Sequence, residues 1–219
     1  MRPADTTAVD LIQRWQQLTD ELGQAGVKLL AVSKYAPDTA VQVLIDAGQQ
    51  DFAESRPQNL RDRAQRWPHC DWHMIGPVQK NKAKYIGRYA SMWHSCENLA
   101  TAKAVAKHVE GRVLPVLIQV NIANTPHQHG IQPAALAEFA AALSAVESLQ
   151  LVGLMGMAAK DSDAAQAFGH LRRLRDSLLN GSLADVEPLE LCMGMSGDYR
   201  VAIAEGSNMV RLGSTLFDG

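Results

Sequence analysis

Between residues 8 and 22, Val9, Leu11, Ile12, Trp15, Leu18 and Leu22 recur at helical spacing, and Gly23 follows. The pattern predicts an amphipathic helix closed by a glycine. The periodicity then changes. Short apolar runs at 28–33, 51–53, 72–75, 90–93, 114–120, 150–155, 189–193 and 209–212 read as strands. Helical stretches near 38–48, 56–66, 79–86, 97–109, 133–146, 162–180 and 198–205 separate them. Strands alternating with helices argue for parallel βα units. Eight such strands close most economically into a (β/α)8 (TIM) barrel preceded by an N-terminal helix, with a doubly wound open sheet as the competitor. After the last strand only "GSTLFDG" remains, so residues 1–219 are expected to form a single barrel domain.

Composition narrows the function. The chain of 219 residues is 47% hydrophobic, enough for one substantial core. With 21 Lys+Arg against 23 Asp+Glu, the formal charge is −2, so no global basic field gathers nucleic acid or an anionic membrane. No apolar stretch approaches the ~20 residues of a membrane span, and the N-terminus has no signal-peptide pattern. Cys70, Cys96 and Cys192 are scattered and odd in number. Buried thiols in a reducing cytoplasm fit them better than a disulfide framework or a zinc site.

Two stretches carry candidate chemistry. "LLAVSKYAPD", 29–38, ends an apolar run on Lys34, just past the first strand. Barrels collect functional groups at the carboxyl ends of their strands, where an amine can be held at a site. The second stretch is "LCMGMSGDYRVAIAEGSNMVRLGSTLFDG", 191–219. Its seventh strand runs into Ser196, Gly197 and Asp198, and its eighth runs through Arg211 into Gly213, Ser214 and Thr215. Small residues let backbone N–H groups approach an anion, hydroxyls add donors, and barrels often hold a phosphate after these two strands. The plainer reading is that Ser196 or Asp198 caps the following helix and Gly213 turns the chain. An amine facing a phosphate cradle suits pyridoxal 5'-phosphate (PLP), which needs an imine partner for its aldehyde and donors for its phosphate.

"AVSKYAP", "DFAESRPQ", "WHMIGPVQKNK", "WHSCENLATA", "IQVNIANTPHQHGI", "GLMGMAA" and "MGMSGDYRVAIAEGSNMVRLGSTLF" occur in the order expected of the YggS/PROSC family of pyridoxal phosphate homeostasis proteins, which the chain resembles over nearly its whole length. The resemblance implies a barrel similar to the alanine racemase N-terminal domain, with Lys34 as the cofactor lysine. It implies phosphate binding by Ser196 and Gly197 and by Gly213 with Ser214 and Thr215, and places Arg211 at the pyridine nitrogen. Asn121, His73 and Met74 are further candidates for lining the cofactor. Where the family usually reads "GEN", this chain has Ala53-Glu54-Ser55, so a shorter hydroxyl at Ser55 replaces an asparagine contact. The C-terminus reads "LFDG" rather than "LFG" plus a tail.

Binding is a different matter from turnover. A protonated pyridine nitrogen makes the stronger electron sink, and a cation at Arg211 disfavours it. Racemisation needs a second acid/base, and none of Tyr35, Tyr85, Tyr89 and Tyr199 is evidently one. The resemblance thus implies a PLP-binding protein without established turnover, acting in vitamin B6 and amino-acid homeostasis, with PLP-dependent enzymes as candidate acceptors. The scattered cysteines favour the cytoplasm, and with no exposed heptad or second domain in view a monomer is expected. The alternatives are a minimal PLP-dependent racemase and a cofactor-free barrel, either a Schiff-base aldolase or a phosphosugar isomerase. Lys80, Lys82, Lys84 and Arg88 read as a solvated helix surface, and His127 with His129 as a surface turn without a third metal ligand. Trp72, Trp93, Met155 and Met157 read as barrel core.

Overall fold

A computed structural model describes residues 8–123, 128–160, 162–181 and 189–218. Helix α1 (Ala8–Gln24) buries Leu11, Leu18 and Leu22 along one stripe, as the spacing requires. The chain then alternates β1 (Lys28–Val32), α2 (Asp38–Asp46), β2 (Asp51–Glu54), α3 (Pro57–Arg66), β3 (Asp71–Met74), α4 (Ala83–Tyr89), β4 (Met92–Cys96) and α5 (Leu99–Ala106). It continues through β5 (Leu114–Val120), α6 (Leu136–Ser144), β6 (Leu149–Gly156), α7 (Ala164–Leu179), β7 (Glu190–Met195), α8 (Tyr199–Ala204), β8 (Met209–Leu212) and α9 (Ser214–Phe217). Every strand pair is parallel, and β1 pairs with β8 from Lys28↔Met209 to Ala31↔Leu212, closing the barrel.

Closure creates two cores. Inside the barrel, Leu30, Ala53, Leu117, Met155, Cys192 and Met209 fill the centre. Between the strands and the helices lies the larger shell, where Trp72 stacks on Phe52 with ring centroids 5.0 Å apart. Pro57 opens α3 at its first turn, where its missing N–H costs nothing. The side chains of Asn98 and Asp163 cap α5 and α7 by accepting from the amides of Thr101 and Gln166.

The sequence pattern misplaced some boundaries. The fourth strand covers Met92–Cys96 rather than 90–93, because the Ala90 amide still bonds the Ile86 carbonyl and belongs to the exit of α4. The stretch from 79 opens as a 3-10 turn at Lys80–Lys82 before α4 begins. The short α9 lies where only a loop was expected.

Among the described residues no helix is long and apolar enough to cross a membrane, and no cluster of three or more His, Cys, Asp or Glu could hold a metal. His129 pairs with Glu97 at 2.9 Å; His127 lies outside the described residues. All three cysteines are buried and free.

Candidate functional site

The carboxyl ends of the strands open onto a cavity of about 980 Å³, at the upper end of the usual size for small-molecule sites. Lys34 reaches its wall from the β1–α2 loop, two residues past the end of β1. The loop is fixed from behind. Arg63 on α3 donates to the Ala36 carbonyl at 2.8 Å and pairs with Asp38 at 3.1 Å, while Ser33 donates to the buried carboxyl of Glu54 at 2.7 Å. Burial pushes the Glu54 carboxyl above the usual carboxylate range, against the opposing hydrogen bond of Ser33 and the charge of Arg63. The Lys34 ammonium itself lies 5.0 Å from the Tyr35 ring, and no carboxylate among the described residues pairs with it.

Beside the β1–α2 loop, on the side where β8 pairs with β1, stand the two loops after β7 and β8, which contribute Ser196, Gly197, Gly213 and Ser214 to the cavity wall. They are tied together: the Thr215 amide donates to the Ser196 hydroxyl at 3.2 Å, and the Thr215 hydroxyl reaches the Ser196 carbonyl at 3.5 Å. Asp198 accepts from the Met195 amide, closing the first loop on itself. Gly194 makes that turn possible. Its φ is +96°, and a Cβ there would sit 2.6 Å from the Ala202 side chain. Helix α1 braces the second loop, with Arg14 donating to the Leu216 carbonyl at 3.0 Å.

The floor is apolar apart from one cation. Ile75, Met155 and Met157 line it together with Arg211, which is only 4% exposed. Arg211 donates to the carbonyls of Cys192 (2.9 Å) and Gly156 (3.2 Å) and to the Cys192 sulfur (3.2 Å). No carboxylate among the described residues lies within ion-pair distance of it. Ser55 also reaches the cavity, next to Gly76, where a Cβ would lie 2.1 Å from the Ser55 carbonyl. The only carboxylate on the wall among the described residues is Asp218, at the exposed rim.

Some expected residues lie elsewhere. Met74 packs into the shell between barrel and helices, because alternate residues of β3 face opposite sides. His73 faces the interior but beneath the cavity, bonded to His94 at 2.8 Å and Asp51 at 3.1 Å. Asn121 is buried at the end of β5 and donates to the Gln128 carbonyl at 3.0 Å, so it holds its own loop and is not part of the wall. Thr215 supports the wall from behind. Conversely, Met155 and Met157 serve as cavity lining, and Glu54, Arg63 and His94 were not singled out at all. An acid directly after the apolar pair Phe52-Ala53 was the one available signal for Glu54.

A lysine and paired small-residue loops at the carboxyl end of a parallel barrel define a protein of the alanine racemase N-terminal type, and the matching family model, alanine racemase, N-terminal domain, covers residues 9–219. Within that class the chain is 32% identical over 224 residues to the pyridoxal phosphate homeostasis protein of Escherichia coli K12, covering 95% of this chain and 96% of that one. It is 36% identical to the Deinococcus radiodurans protein of the same name, over 87% of this chain and 88% of that one. The chain belongs to the pyridoxal phosphate homeostasis protein family. It also superposes on PipY of Synechococcus elongatus PCC7942 with PLP bound, with a TM-score of 0.83 and 30% identity over 94% of this chain and 99% of PipY.

Proposed function

We propose that this chain, as one domain, binds pyridoxal 5'-phosphate in the cavity at the mouth of the barrel and buffers it within the cytoplasm for acceptor enzymes, without catalytic turnover of its own. The observation that carries the reading is the donor set of a single cavity. A primary amine, two serine-bearing loops and a buried guanidinium with no carboxylate partner among the described residues line it, over an apolar floor. That set fits an anionic, flat, aromatic aldehyde. PlP-binding by PipY and the name of the Escherichia coli relative support the choice of ligand.

Each residue has a role. Lys34, exposed at the cavity wall, would supply the amine that holds the aldehyde. Ser196, Gly197, Gly213 and Ser214 hold the phosphate with hydroxyl and backbone donors, and Thr215 keeps the two loops in register. Ser55 adds a hydroxyl at the wall. Bound PLP supplies an electrophilic carbon and a ring that withdraws electrons. Arg211 keeps a permanent cation where a strong electron sink would want an acid, which favours holding over turnover.

One observation favours the racemase reading: Tyr35, 82% exposed, shares the cavity mouth with Lys34 and offers a second proton-carrying group. The experiment is therefore double. Protein loaded with PLP is mixed with an apo PLP-dependent enzyme, and recovery of that enzyme's activity is followed beside the appearance of D-amino acids from L-amino acids. Recovery without racemisation supports the carrier. Racemisation that falls on Tyr35→Phe replaces it with the enzyme.

A further inference from the structure

Beneath the cavity, polar side chains cross the barrel interior in an unbroken line. Arg211 Nη1 lies 3.2 Å from Cys192 Sγ, which lies 3.3 Å from His94 Nδ1. His94 Nε2 lies 2.8 Å from His73 Nδ1, and His73 Nε2 lies 3.1 Å from Asp51 Oδ1. Lys28 closes the far end at 3.3 Å from the same oxygen. Arg211, Cys192, His94 and His73 are each buried, while Asp51 and Lys28 reach the solvent at the amino-terminal mouth of the barrel. A buried polar chain of this length is costly unless every member is satisfied.

The carboxylate end imposes a direction, and the guanidinium end is compatible with it. A guanidinium can only donate and a carboxylate can only accept. Arg211 therefore donates to the Cys192 sulfur. The Cys192 S–H donates to His94 Nδ1, His94 Nε2–H donates to His73 Nδ1, and His73 Nε2–H donates to Asp51. With both imidazoles neutral and Cys192 a thiol, each link has one donor and one acceptor. Burial, with the nearby Arg211 charge acting in the same direction, holds His94 well below its ordinary pKa, and burial raises the Cys192 thiol against the opposing pull of Arg211. Asp51 stays ionised: burial works against its charge, but the bonds to His73 and Lys28 outweigh it and lower its pKa.

We propose that Cys192, His94 and His73 form a directional relay that orients Arg211 in the cavity and anchors it, through hydrogen bonds, to Asp51 at the far end of the barrel. These are positioning residues: none of them lines the cavity, and they act on a ligand only through Arg211. The relay stands on the barrel itself; its effect on PLP rests on the function proposed above.

Two measurements test it. The first uses the full chain, labelled with 15N-histidine and without added cofactor, and reads the histidine tautomers by long-range 1H–15N correlation at neutral pH. Protons on Nε2 of both His73 and His94 are expected. A proton on Nδ1 of His94, or an imidazolium at His73, reverses the direction of the links and overturns the relay. The second compares PLP dissociation constants of Cys192→Ser, which keeps a hydroxyl to accept and donate, and Cys192→Ala, which cannot. Affinity is expected within about twofold of the wild type for the serine variant and about tenfold weaker for the alanine variant. Equal affinities for the two variants overturn the positioning role. If the unaltered protein fails to take up PLP, the proposed function falls, and the tautomers alone still decide the relay.

Discussion

Lys28 and Lys34 bracket the same strand and have opposite surroundings. Lys28, at the amino end of β1, pairs with Asp51, and its register partner Met209 fixes it in the ladder. Lys34, past the carboxyl end, has an aromatic neighbour, no carboxylate among the described residues, and a cavity in front of it. One strand thus carries a lysine whose charge is neutralised and another whose amine is available. What separates them is position in the barrel: the amino end is pinned by ladder and ion pair, while the carboxyl end is left to the loops.

The sharpest way to break that contrast is to remove each amine in turn. Lys34→Ala is expected to abolish covalent retention of PLP, seen as loss of the visible absorption band, while circular dichroism stays unchanged. Lys28→Ala should leave the band intact.

Next in size is the turn that shapes the neighbouring loops. Gly194→Ala forces a side chain into a left-handed conformation against Ala202 and Tyr199. Strain of roughly 1–3 kcal/mol is expected from the backbone, with overpacking added to it. A domain of this size should lose roughly 2–4 °C in Tm per kcal/mol, read by thermal unfolding.

Ser196→Ala, in contrast, should fold normally and weaken PLP by about 10- to 100-fold, the range for one hydrogen bond to a charged group, measured by equilibrium titration. An unchanged dissociation constant would remove Ser196 from the phosphate cradle.

The smallest effect concerns the support behind Lys34. The folded state holds the Glu54 proton more tightly than the unfolded chain does, so Glu54 contributes stability that is full below its unfolded value near 4.5 and declines as pH rises through the folded value. Glu54→Gln cannot ionise. Its stability relative to the wild type should therefore rise with pH above about 4.5 and then level off, by denaturant unfolding across that range. A difference independent of pH would mean that Glu54 does not titrate there.

Much of this was legible in the chain. The eight strands could be found because parallel barrel strands are short apolar runs between amphipathic helices, and Lys34 stood out as a charge ending such a run. The paired glycine and serine loops pointed to one end of the barrel because strands seven and eight are neighbours there. The relay was hidden for a physical reason. His73, His94 and Cys192 come from three strands, and their partnership depends on which face each strand turns inward, a register that one residue of slip reverses. The short third strand left that register open, and the boundary placed at 93 put His94 outside its strand altogether. Met74 was misassigned to the cavity for the same reason.

The most direct measurement is borohydride reduction of the PLP-loaded protein followed by peptide mass mapping. A single pyridoxyl-phosphate adduct on the peptide carrying Lys34, with Lys28 unlabelled, is the expected result. An adduct on any other lysine, or none after saturation with PLP, would contradict the assignment of Lys34 as the amine that holds the cofactor.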